Sequence, residues 1–260
     1  MSFKKNLSYK AFSKSKFKSI KHSTYFEVYD DLFSNYRNKK ITFVEIGILS
    51  GGSLFMWRKF FGPKARIIGI DLNPIARKWT KYGFEIFIGD QSDVKFWKLF
   101  KKKVGMIDII LDDGGHRYID QITSIENIIS NIKDGGLVVV EDTHTSYMNG
   151  FGDRKYSFIN YIKNKVDKIN YNSHKLNKIS SDQKIWSIKV YESIVALFIK
   201  NKKKQTISAP ITNNGIDDKA KDFRVEKNKK NKNLLRIILD KFKLFNLENK
   251  INSYTKNYFK

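Results

Sequence analysis

Two short acidic clusters, Asp112-Asp113-Gly114-Gly115-His116 and Glu141-Asp142-Thr143-His144, each follow an apolar run. Four carboxylates gathered in one crevice repel one another and raise their own pKa values unless a cation sits among them. Oxygen donors with no cysteine and few histidines favour a hard ion, Mg²⁺ first, with Mn²⁺ or Ca²⁺ as alternatives. Such an ion would orient a hydroxyl and acidify it. His116, three residues past Asp113, is then placed to take the proton, and His144 is a second candidate base. Taken singly, each acid reads equally well as a helix cap or turn residue.

A second set of residues suits a nucleoside. Glu45-Ile-Gly47-Ile-Leu-Ser50-Gly51-Gly52-Ser53 is a glycine-rich turn, where backbone can approach a ligand closely. It is not the dinucleotide fingerprint G-x-G-x-x-G, and it lacks the Lys and Ser/Thr ending of a phosphate loop. Asp71 stands where a carboxylate can accept hydrogen bonds from ribose hydroxyls, and Gly89-Asp90-Gln91 offers polar groups to an adenine edge. Together these point to S-adenosylmethionine. His22, followed by Tyr25 and Tyr29, is placed to help close the pocket.

Residues 41–142 must position both sets. Apolar runs at 41–46, 66–71, 84–88, 106–111 and 137–140 alternate with amphipathic stretches at 53–61, 93–102 and 118–131. That alternation predicts βαβ units around a parallel sheet, with the chemistry at the carboxyl ends of its strands. Residues 143–153 read as a loop and 154–168 as a helix. Residues 185–191 and 193–200 read as an antiparallel hairpin. The expected fold is α/β and Rossmann-like: a mostly parallel seven-stranded sheet, a C-terminal antiparallel hairpin, and helices on both faces. The expected division is a basic segment at 1–22, a cofactor-binding domain at 23–200 and a basic tail at 201–260. Residues 233–247 of that tail have the spacing of a basic amphipathic helix.

Residues 43–57 (FVEIGILSGGSLFMW), 68–71 (IGID), 89–92 (GDQS), 112–116 (DDGGH) and 141–147 (EDTHTSY) resemble, in order, the class I methyltransferases of the macrolide-sugar O-methyltransferase and cephalosporin-hydroxylase-like group. The resemblance runs from about residue 22 to residue 200. It implies a Mg²⁺-dependent O-methyltransferase acting on a sugar hydroxyl of a glycoconjugate or surface polysaccharide. It implies Asp113, Glu141 and Asp142 as metal ligands and His116 as general base. The S-adenosylmethionine site would comprise Glu45, Gly47, Ser50, Gly51, Asp71, Asp90, Gln91 and Asp112. Gly115 and Met148 depart from the group, which often has Ser and an aromatic residue there.

Composition bounds the rest. The 260 residues carry a net charge of +24, are 41% hydrophobic and contain no cysteine, which excludes disulfides and thiol chemistry. Residues 1–22 hold seven lysines and no acid, and residues 201–260 hold sixteen basic against six acidic residues. The basic ends suit an anionic membrane surface or polymer, or are simply solvated lysines. The tail helix could equally dock on its own domain or on a second copy of the chain. Nucleic acid is a weaker partner, since no aromatic–basic stacking platform is evident, although an RNA or other small-molecule methyltransferase is the nearest alternative. A non-catalytic cofactor-fold protein is the alternative of another class. No apolar run approaches a membrane span, and the N-terminus lacks the apolar stretch of a secretory signal, which argues for a cytoplasmic address with, at most, peripheral membrane contact.

Overall fold

The computed structural model describes residues 2–171, 184–200 and 211–216. The chain divides into one unit up to Ala209 and a second from Pro210. Of the second unit only the exposed loop 211–216 is described, so the tail helix expected at 233–247 lies outside the described residues.

Seven strands of the first unit form one sheet: β1 (Thr42–Ile46), β2 (Arg66–Asp71), β3 (Glu85–Ile88), β4 (Ile107–Asp112), β5 (Ile132–Val140), β6 (Ile185–Tyr191) and β7 (Ile194–Ile199). Their spatial order is β3-β2-β1-β4-β5-β7-β6. The first five run parallel, and β7 pairs antiparallel with both β5 and β6. Helices α1 (Leu7–Ser13), α2 (Tyr25–Phe33) and α3 (Gly52–Phe61) pack on one face. Helices α4 (Val94–Val104), α5 (Tyr118–Ile128) and α6 (Phe158–Tyr171) pack on the other. The period of two along each strand divides the core between the faces. Phe43, Ile109 and Val139 join the first layer, and Val44, Ile110 and Val138 join the second.

Three boundaries differ from expectation for local reasons. Gly135-Gly136, which precede the apolar run expected as the fifth strand, lie inside that strand, where the β4–β5 register shifts and Gly135 has φ +79°. A bulge, not a turn, is what those glycines make. Helix α6 begins at Phe158 because Asp153 first caps a separate short turn at Arg154–Tyr156. A 3₁₀ turn at Thr143–Tyr147 replaces the start of the expected loop.

The basic N-terminal residues are built into the unit. The Asp30 carboxylate caps α1 by accepting from Leu7 N (2.6 Å) and Ser8 N (2.9 Å). The Ser8 hydroxyl donates to Phe26 O, and Phe3, Tyr9 and Phe12 pack around the Phe26 ring. From α1 the chain crosses the carboxyl ends of the central strands before entering α2.

Candidate active site

The glycine turn sits between β1 and α3. Glu45 is fully buried and ties the two elements together, accepting from Ser53 Oγ (2.7 Å) and Trp57 Nε1 (3.0 Å). Gly47 has φ +81°, and a Cβ there would lie 2.1 Å from Asp113 O, so the turn after β1 rests directly on the turn after β4. Gly51, with φ +74°, lies against the Trp79 ring.

Asp71, the last residue of β2, accepts from Ile48 N (3.1 Å), Leu49 N (3.0 Å) and Asn73 N (2.8 Å) and so staples this turn. In front of it opens a cleft of about 510 Å³ lined by Leu49, Ser50, Asp71, Ile75 and Trp79, with Phe17 and Lys18 of the N-terminal segment along one side. The indole Nε1 of Trp79 is buried without a partner, a donor left for a ligand. A carboxylate, a glycine turn and an unused donor around one apolar cleft fit a nucleoside.

Asp90 stands at the end of β3 with its carboxylate held by Ser92, and those hydrogen bonds lower its pKa. Gln91 and Asp112 are buried and do not line the cleft. The Gln91 amide donates to both Asp112 oxygens (3.0 Å each) and to Ser124 Oγ, and its carbonyl accepts from Gly115 N (2.8 Å). Burial pushes Asp112 up to about 6 despite those bonds. The polar groups of both are thus spent on bracing the β4 turn.

Strands β4 and β5 are neighbours, with Asp112 opposite Val140, and so bring the two acidic clusters together. His116 Nε2 lies 3.4 Å from Asp142 Oδ2 and 4.0 Å from Asp113 Oδ1. Among the described residues Asp113, His116 and Asp142 form the candidate cation group, one donor atom of each lying within 4.8 Å of the others. His116 (φ +57°) and Asp142 (φ +54°) are both left-handed, a conformation found at few non-glycine positions and concentrated at functional sites. His116 Nδ1 is buried and unpartnered.

Glu141 turns inward, away from that group. It accepts from Tyr29 Oη (2.5 Å) and pairs with Lys21 Nζ (3.0 Å). Lys21 also pairs with Asp113 Oδ2 (2.5 Å) and approaches Glu45 Oε1 (3.9 Å). Burial would lower the Lys21 pKa, but Asp113 and Glu141 more than offset it and hold the ammonium charged. Tyr25 Oη donates to Asp142 and lies 2.9 Å from Ser193 Oγ. His144 Nδ1 bonds that same Ser193, and the His22 ring sits 5.1 Å from Tyr25 and 6.3 Å from His144. Sequence reasoning gave Lys21 no role and named Tyr25 and Tyr29 only as neighbours of His22. The only signal was their place around His22.

One ammonium does not balance Glu45, Asp113 and Glu141 with Asp112 and Asp142 beside them. Burial pushes Glu141 upward and takes Glu45 to about 7. A hard divalent cation at the partly exposed Asp113–His116–Asp142 group fits this excess of negative charge. A measurable consequence follows for Glu45. Its folded pKa exceeds the ordinary 4.5, so its contribution to stability is fully present below that value and is lost as pH rises toward 7. The metal-free protein is expected to melt at lower temperature at pH 8 than at pH 5.5, and Glu45→Gln to remove Glu45's share of that difference, about 2 kcal/mol. Thermal melts at both pH values check this, and an unaltered pH slope in the variant contradicts it.

No protein-family model matches the chain. It is 35% identical over 131 residues to mycinamicin VI 2''-O-methyltransferase of Micromonospora griseorubida. It is 30% identical over 159 residues to 8-demethyl-8-alpha-L-rhamnosyl tetracenomycin-C 2'-O-methyltransferase of Streptomyces olivaceus. These matches take in 48% and 57% of the chain but 32% and 42% of the relatives' own lengths. Among solved structures, MycE methyltransferase of the mycinamycin pathway, in complex with Mg and S-adenosylhomocysteine (SAH), matches with TM-score 0.66 and 27% identity. That match covers 77% of this chain and 54% of MycE. The chain is similar in sequence to these O-methyltransferases and shares the methyltransferase fold over the part that matches. In this methyltransferase fold the two acidic clusters end adjacent strands, β4 and β5, and the cleft lined by Asp71 opens beyond β1 and β2. No helix among the described residues is long and apolar enough to cross a membrane.

Proposed function

We propose that the chain is a divalent-cation-dependent O-methyltransferase that moves a methyl group from S-adenosylmethionine to a hydroxyl, that of a sugar in a glycoconjugate or surface polysaccharide. The observation that carries this reading is the Asp113–His116–Asp142 group standing beside a cleft whose floor is Asp71. Mycinamicin VI 2''-O-methyltransferase and the tetracenomycin enzyme act on glycoside hydroxyls by name, which supports the acceptor class.

The sulfonium methyl is already electrophilic, so the protein must align an oxygen with it and remove a proton. Asp71 and Trp79 Nε1 hold the nucleoside, and the Gly47–Gly51 turn admits the rest of the cofactor. Asp113 and Asp142, with Glu141 behind them, would hold the ion, which when bound supplies Lewis acidity toward the acceptor hydroxyl. His116 Nε2 receives the proton, and Asp142 and Asp113 provide counter-charge at 3.4 and 4.0 Å. The left-handed backbone at His116 and Asp142 aims both side chains into the same space.

Calorimetric titration with S-adenosylhomocysteine tests the cofactor half of the proposal. Binding is expected in the wild type, with Asp71→Ala weakening it roughly 10- to 100-fold, the range of hydrogen bonds to a charged group. A wild-type titration without heat or protection against thermal unfolding contradicts the assignment.

A further inference from the structure

We propose that Lys21 is a tethered counter-ion that neutralises Asp113 and Glu141 until a divalent cation binds at the adjoining Asp113–His116–Asp142 group, and that residues 15–22 form a strap which the cation releases. The proposal rests on the reading of the acidic cluster as a divalent-cation site. Its evidence is the placement of one lysine. Lys21 leaves only 2% of its side chain exposed, although Ile20 beside it is 76% exposed and His22 is exposed as well. Its ammonium reaches Asp113 Oδ2 and Glu141 Oε2 together. A metal ion bound by Asp113 at roughly 2.0–2.6 Å would draw on the same carboxylate that holds the ammonium. Two adjacent cations would also repel strongly where solvent is excluded.

The strap is held by side-chain contacts and by Phe17 O and Lys18 O packed over Gly52, not by helix or sheet hydrogen bonds. It has neither helix nor strand between α1 and α2. Ser15 Oγ donates to Gly52 O (2.7 Å), and Phe17 packs against Phe55 and Trp79. Ser19 Oγ is buried without a partner, so one polar group of the strap goes unsatisfied in this arrangement. Because Phe17 and Lys18 also border the nucleoside cleft, movement of Lys21 would alter that wall and couple cation loading to cofactor access.

Mn²⁺ titration followed by electron paramagnetic resonance, on the full chain and on Lys21→Met, is the test. The variant is expected to bind Mn²⁺ at least tenfold more tightly than the wild type. Should Lys21→Met fail to fold, amine labelling of the wild type read by mass spectrometry answers the same question: Lys21 should be shielded without metal and label readily at saturating Mn²⁺. Unchanged or weaker Mn²⁺ binding in Lys21→Met, or a Lys21 still shielded in the Mn²⁺-loaded wild type, overturns the strap while leaving the cation site standing. Absence of Mn²⁺ binding in both proteins overturns the cation site and the strap together.

Discussion

Replacing His116 by alanine is expected to lower turnover by about 10²- to 10⁴-fold, the range contributed by a positioned general base, while S-adenosylhomocysteine affinity stays within about twofold. The separation of the two effects follows from geometry. His116 faces Asp113 and Asp142 and is absent from the lining of the nucleoside cleft. His144, the other histidine at the end of β5, bonds Ser193 through Nδ1, so His144→Ala should cost far less. Single-turnover methyl transfer to a glycoside acceptor, measured alongside calorimetry, checks both. Loss of cofactor binding in His116→Ala, or a full-rate variant, would move the base elsewhere.

Gly47→Ala is expected to produce the largest loss of stability, more than about 3 kcal/mol, because strain and steric overlap act together. The left-handed φ of +81° alone costs a Cβ-bearing residue roughly 1–2 kcal/mol. The added methyl would then meet Asp113 O at 2.1 Å, and this atom is backbone, which cannot swing aside like a side chain. Gly47 N also bonds Ile70 O (2.8 Å), and Asp113 N bonds Ile46 O (3.0 Å), so neither turn can retreat without breaking a bond to a neighbouring strand. Urea unfolding should show the drop, and whatever protein folds should bind Mn²⁺ poorly because Asp113 has shifted. A wild-type midpoint would contradict the packing of one turn on the other.

The sheet and the acidic cluster were legible because both are local in sequence. Buried parallel strands must be short apolar runs, and residues at their carboxyl ends converge by topology alone. That logic located Asp71, Asp113, His116 and Asp142 from spacing. It could not foresee that Glu141, one residue from Asp142, would turn to Tyr29 and Lys21, since alternation along a strand fixes the face but not the partner. Nor could it tell that the Gln91 amide would be spent on Asp112 and Ser124.

The N-terminal residues were the least legible. Seven lysines among 22 residues look like a solvated, detachable segment, and composition gives no reason to single one out. Their order comes from contacts distant in sequence: Asp30 capping α1, Phe26 gathering Phe3, Tyr9 and Phe12, and three acids from three strand ends surrounding Lys21. Such contacts carry no periodic signal.

The most direct test of the account is a crystal structure of the full chain grown with S-adenosylhomocysteine and Mn²⁺, with anomalous scattering recorded for the metal. The account predicts an anomalous peak coordinated by Asp113 and Asp142, with the nucleoside ribose against Asp71 in the neighbouring cleft. A peak absent from that crevice at saturating Mn²⁺, or a nucleoside seated away from Asp71, would contradict it.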